Sequence, residues 1–186
     1  PDALDWVAID PEALKRVYDD LVTEAGATVR FFSSLVGVDC EAAGEATTLL
    51  VGSKAGLTAM RAAVYVDATG DGDLAAWAGA QFEKGGPDGD LQPATACFAL
   101  GNVNEYHFAH GPRLHRGDPQ SPIHAIRASG RYPHVSDLHC CEKHVAPNTV
   151  GFNAGHLWGV DNTDPASVSR AMIEGRRQAA AYRDAF

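Results

Sequence analysis

A run of roughly 20 apolar residues, the length that spans a bilayer, occurs nowhere in the sequence, which argues against a membrane-spanning helix. Basic residues are scarce: 15 Lys and Arg stand against 24 Asp and Glu, a formal charge of −9. No basic stripe of the kind that phosphate backbones need is visible, so nucleic acid is a poor partner. The opening residues, PDALDWVAID, show no basic segment followed by an apolar one, and no secretory leader is read there. Cysteine is sparse, at Cys40, Cys97, Cys140 and Cys141. Two of the four are adjacent, and the spacing does not suit a secreted disulfide framework, so reduced thiols in a cytoplasmic protein are expected. Internal repeats and low-complexity tracts are also missing. What is present is apolar character enough for a core: 45% of 186 residues, one domain of ordinary size or one and a half small ones.

Local chemistry marks the elements. Asp10 is an N-cap and Pro11 a first helical residue, and Leu14, Val17, Leu21 and Val22 recur at helical spacing until Gly26. ATVRFFSSLVGVDC reads as one bent strand or two short ones, and TTLLV as another. GSKAG is a turn, and LTAMRAAVYVD the strand that returns. A short helix follows the turn in VDATGDGDLAAWAGA. EKGGPDGDLQP is a loop by composition, ATACFAL a strand, and 101–150 irregular. Asp164 and Pro165 open a last helix whose apolar face is expected at Val168, Met172, Ala179, Tyr182 and Phe186.

The Gly-Asp turn carries the first candidate chemistry. Gly70, Gly72 and Ala75 satisfy G-x-G-x-x-A between a strand and a helix, the setting of a dinucleotide fingerprint. Asp71 and Asp73, however, put carboxylates where a pyrophosphate would sit, opposing it by roughly 1 kcal/mol per charge pair in water. The turn is therefore not read as the main phosphate cradle. The carboxylates suit the helix dipole, and they can accept from sugar hydroxyls or simply cap the helix. A metal would need more ligands than two aspartates.

VYVDATGDGDLAAWAGA resembles the second conserved block of FAD-dependent oxidoreductases with a glutathione-reductase-type nucleotide domain, above all a bacterial subgroup labelled simply FAD-dependent oxidoreductase. DPEALKRVYDDLVTEAGATVRFFSSLVGV is similar to the helix and strand before that block, and GVDNTDPASVSRAMIEGRRQAAAYRDAF to the segment that returns to the nucleotide domain. The resemblance implies FAD as cofactor, with Ala68, Thr69, Gly70 and Asp71 beside it and Val36 touching the adenine through its backbone. It implies a mixed α/β fold: part of a Rossmann-like FAD-binding domain with a small antiparallel meander over 1–86, part of a substrate domain over 87–150, and a return segment over 151–186. The family's glycine-rich first turn and its last block have no counterpart here. An internal piece of a longer flavoenzyme is therefore expected, colourless when purified and prone to homo-oligomerise through unpaired strand edges. A small-molecule substrate is implied, with flavin taking or giving hydride or electrons.

All eight histidines fall between His107 and His156. His139, Cys140, Cys141 and His144 form the densest group and mix zinc-type ligands, without a clear second pair at longer separation. The alternative to a flavoenzyme is a non-catalytic binding or interaction module carrying a metal at these four. By the resemblance, the histidines instead belong to the part that covers the flavin, where one of them orients substrate or shuttles a proton; His124 and His156 are plausible. Arg176 and Arg177 read as a solvated helix face, and Trp77 as core packing.

Overall fold

The computed structural model describes residues 8–42 and 44–186; the stretch 1–7, read above for a leader, lies outside them. The architecture is mixed α/β, as expected, in two compact units. One is Arg16–Lys84, and the other holds Gly85–Phe186 with the described residues before Arg16. No helix among the described residues is long and apolar enough to cross a membrane.

Helix α1 (Pro11–Glu24) starts where its cap predicts. Asp10 Oδ1 accepts the N–H of Glu12 at 2.9 Å and of Ala13 at 3.1 Å, which satisfies two of the orphan donors of the first turn. Gly26 follows in the left-handed region, φ 77°.

The Arg16–Lys84 unit is built on a meander of β1 (Ser34–Cys40), β2 (Ala46–Ser53) and β3 (Gly56–Met60), all antiparallel in that order. The expected strand over 27–40 pairs only from Ser34, because Phe32 turns the chain with φ 53°. The returning strand likewise pairs only as far as Met60. Beyond it, Arg61 Nε donates to Thr48 Oγ1 at 3.0 Å, and the Tyr65 hydroxyl donates to the Thr47 carbonyl at 2.9 Å. These bonds tie 61–67 to β2 by side chains instead of a ladder, and Val64 and Val66 stay exposed. Helix α2 (Asp73–Trp77) is a single turn, and Trp77 is half exposed, so the core role expected of it is not what the structure gives.

The second unit centres on β4 (Phe98–Gly101), β5 (Cys140–Ala146) and β6 (Thr149–Ala154), antiparallel in the order β4-β6-β5. Residues 101–150 are not irregular throughout, as the composition suggested. They hold α3 (Glu105–His110), α4 (Pro122–Ala128) and β5. Each is too short for a period to stand out, and β5 reads as polar because only one of its faces is covered.

Helix α5 (Pro165–Ala185) begins at the expected cap, Asp164. Its buried residues are Ser167, Gly175, Gln178 and Tyr182, whereas Met172 is exposed. The face is thus rotated from the one that apolar residues alone suggest. Small residues set it, since a Cβ on Gly175 would lie 2.4 Å from the Ala96 Cβ, so only glycine permits this approach. The core gathers Ile123, Val135, Cys140, Val150, Phe152, Ala154 and Tyr182. Phe98 stacks on Phe152 at 5.2 Å and on Tyr182 at 5.7 Å, spacings at which rings attract beyond their buried area.

Candidate functional site

The Gly-Asp turn of the first unit is organised by Asp67, a residue that the sequence reading passed over. Asp67 Oδ1 accepts the Thr69 N–H at 3.0 Å and the Thr69 hydroxyl at 2.8 Å. Its Oδ2 accepts the Ala75 N–H at 2.9 Å, and Thr69 Oγ1 accepts the Asp73 N–H at 3.0 Å. One carboxylate therefore holds both ends of 67–75. Those bonds, the Thr69 and Ala75 N–H groups foremost, favour the ionised form and hold the Asp67 carboxyl below its ordinary pKa. Gly70 at φ 93° and Gly72 at φ 74° supply the two left-handed positions that let the turn close. D-x-T before a glycine was the available signal, an aspartate bonding the backbone two residues on.

Beside this turn lies an open groove of about 510 Å³. Leu35 of β1, Leu49 and Val51 of β2, Met60 of β3, Val66 and Leu74 give it apolar walls, and Asp67, Thr69, Thr28, Arg30 and Ser33 line the rest. Arg30 is the one cation among the described residues that line it.

Of the five residues named from sequence, Thr69 lines the groove. Ala68, Gly70 and Asp71 are its exposed neighbours on the turn. Among the described residues, the N–H groups of Gly70, Asp71 and Gly72 donate to nothing, and the Asp71 carboxylate accepts nothing. Val36 sits beside the groove residue Leu35, at a bulge: Leu35 faces Val51 and Gly37 faces Leu50, so β2 offers Val36 no partner of its own. Its side chain packs over Gly52, where a Cβ would come within 3.1 Å.

This donor set suits the adenosine end of a dinucleotide better than its phosphates. Apolar walls and hydroxyl-bearing rims match a base and a sugar, while Asp71 and Asp73 repel an anion at the turn itself.

The second unit separates the histidine and cysteine cluster. Alternation along β5 sends Cys140 into the core and Cys141 to the other face. Burial pushes the Cys140 thiol up to about 12, so it stays protonated at neutral pH. His139 Nε2 lies 3.2 Å from Asn153 Oδ1, and His144 Nε2 lies 2.9 Å from Glu105 Oε1. The four candidate ligands do not converge, and no metal-holding group of three or more His, Cys, Asp or Glu occurs among the described residues. Arg177 meets Glu174 at 3.5 Å on an exposed face, as expected, and His124 Nε2 is engaged by the Asp118 carbonyl at 3.1 Å.

A different set does come together. Asp137 Oδ2 lies 3.0 Å from His156 Nδ1 and accepts the His156 backbone N–H at 3.1 Å, while its Oδ1 accepts the His139 N–H at 2.7 Å. The imidazoles of His139 and His156 stack at 4.4 Å, and Trp158 lies 5.2 Å from His156. Asp137 carried no signal of its own, because its partners are brought to it by the sheet.

The family model described as FAD dependent oxidoreductase matches residues 2–186. No curated protein and no solved structure matches the chain.

Proposed function

The chain belongs to the FAD-dependent oxidoreductase family, whose cofactor is FAD, and from that premise we propose that its Arg16–Lys84 unit holds the adenosine end of that cofactor. In this reading the base lies in the groove against Leu35, Leu49, Val51 and Met60. The unpaired backbone at the Val36 bulge meets the adenine. Ala68, Thr69, Gly70 and Asp71 face the sugar, with the free N–H groups of the turn as donors and Asp71 as an acceptor for hydroxyls. The observation that carries it is the groove itself, which brings Thr69 of the family block and the β1–β3 meander to one concave surface.

The arrangement proposed is that of a glutathione-reductase-type domain in a longer cytoplasmic flavoenzyme acting on a small molecule. Bound flavin would supply hydride or electron transfer. This unit's own residues would exclude water from the base and fix the sugar. The exposed Val64, outside the groove lining, offers a surface through which copies of the chain would associate.

Calorimetric titration with ADP, which carries the cofactor's adenosine and diphosphate, tests the proposal. ADP is expected to saturate the chain while FMN, which carries the flavin and no adenosine, does not. Val66→Glu, on an exposed groove wall, is expected to weaken ADP by about tenfold, a change of about 1.4 kcal/mol, and to leave the thermal melt unchanged. Equal binding by the variant, or none by the native chain, would overturn the groove assignment.

A further inference from the structure

We propose that Asp137 and His156, with the His139 ring stacked behind and Trp158 beside them, form a proton-accepting site that binds the hydroxyl of a small alcohol. The site is built wholly within the Gly85–Phe186 unit.

The geometry sets the direction of the proton. With the carboxylate at 3.0 Å, the neutral imidazole of His156 keeps its hydrogen on Nδ1. Its Nε2 lone pair is left free, and no group among the described residues meets it. Asp137 is itself held by two backbone N–H groups, those of His139 and His156, so it cannot swing away. It therefore orients the ring and would balance an imidazolium, the role of the carboxylate in any acid–base dyad.

The backbone is held as firmly. Gly155, at φ 75°, turns the chain out of β6 and donates its N–H to the His139 carbonyl at 2.8 Å. Gln178 Nε2 donates to the His156 carbonyl at 3.1 Å, from a side chain that is 4% exposed. The Gln178 Oε1 beside it is buried and has no hydrogen-bond partner among the described residues. Among the described residues, the His139 ring stacks on the dyad, Tyr182 lies near Asp137 from the core side, and Cys140 lies near Tyr182. Burial, first of all, keeps both of the latter protonated.

The surroundings name the ligand class. His156 and Asp137 are about three-quarters buried, with side-chain exposures of 22% and 24%. Trp158 is 68% exposed and gives a flat apolar wall at the open side. The side-chain NH₂ of Asn153 has no partner among the described residues and can donate to an oxygen. An acceptor nitrogen and an aromatic wall suit a neutral R–CH–OH group. They do not suit a carboxylate, which would require His156 to be charged.

Were the bound alcohol oxidised, the O–H proton would pass to Nε2 and the O–H electron pair would become the second C–O bond, and the family's flavin would supply the acceptor for the hydride leaving the carbon. That last clause rests on the flavoenzyme reading. The binding of the hydroxyl does not.

The test is nitrogen NMR of the full chain with labelled histidine and tryptophan. Neutral His156 is expected to carry its proton on Nδ1, and Asp137→Asn to lose that single tautomer. Benzyl alcohol, as the probe, is expected to move the His156 Nε2 and Trp158 indole signals saturably, and benzoate to move neither. His156→Gln is expected to weaken benzyl alcohol about tenfold, read at the indole, with Trp158→Ala as a second variant read at Nε2. A proton on Nε2, a response to benzoate in place of the alcohol, or an unchanged affinity in both variants would overturn the site. None of these readouts depends on ADP, so failure of the groove and failure of the dyad are told apart.

Discussion

Gln178 and Tyr182 lie one turn apart on the buried face of α5 and reach the main-chain carbonyls of His156 and His139, at 3.1 Å and 3.4 Å. The two carbonyls belong to the stacked histidines, so one helix face fixes the spacing of both rings. The Tyr182 ring matters more than its hydroxyl, because a 3.4 Å bond is near the limit of useful geometry. Tyr182→Phe is expected to cost about 1 kcal/mol or less. Tyr182→Ala empties the core between Phe98 and Phe186 and is expected to cost about 3–5 kcal/mol. Urea denaturation of the two variants checks the order.

Cys140 gives a pH prediction with a definite sign. Its thiol is raised from 9.0 to about 12 by burial, then by the charges of Glu142 and Cys141. The unfolded chain therefore loses this proton at lower pH than the folded one. Stability from this group is fully present below about pH 9 and falls as pH rises toward about 12, by roughly 1.4 kcal/mol per unit. Unfolding midpoints measured across that range are expected to drop, and to drop less in Cys140→Ala. A thiol reagent at pH 8 should label the exposed Cys40 and Cys97 quickly and Cys140 only on unfolding.

Asp67 shifts the other way. Its depressed pKa means that its bonds to Thr69 and Ala75 hold at every pH above its ordinary 3.8 and are lost as pH falls through the lower folded value. Amide exchange should show the Ala75 N–H still protected at pH 3.8, where a free aspartate is half protonated, and released only at lower pH. Asp67→Ala is expected to release Ala75 and Asp73 together at neutral pH, with the β1–β3 amides unmoved. Loss of the sheet amides at the same time would mean that the turn and the meander unfold as one.

These residues also mark how far the sequence could be read. The caps at Asp10 and Asp164 were legible because a cap acts over three residues. The β1–β3 meander was legible because its β2–β3 turn is short and its strands are consecutive. The turn in 66–80 was seen as a corner, but not as the work of Asp67, whose second oxygen reaches Ala75 eight positions on. Asp137 lies further out of reach, since it meets His156 nineteen positions away, after β5 and β6 have formed. Four residues at one spot in the sequence, His139 to His144, suggested a metal, but strand alternation sends their side chains apart. Proximity along the chain was the wrong measure there, and proximity across the sheet the right one.

The rotation of α5 can be tested in the same terms. Gly175 faces Ala96 so closely that a Cβ at 175 would lie 2.4 Å from the Ala96 Cβ and 3.4 Å from Leu157 Cδ1. No contact of 2.4 Å between carbons survives, so Gly175→Ala must push α5 away from the segment holding Ala96. The ordinary gain of about 1 kcal/mol for alanine over glycine in a helix is then outweighed by about 1–3 kcal/mol of overpacking. The displacement would also draw Gln178, one turn on, from the His156 carbonyl. Ala96→Gly removes the clashing methyl, so the double variant is expected to recover most of the loss, with a coupling of about 1 kcal/mol or more between the two sites. A double-mutant cycle by urea denaturation measures that coupling. If the two changes simply add, Gly175 is not what sets the seat of the helix, and the apolar residues that failed to predict its face must be weighed again.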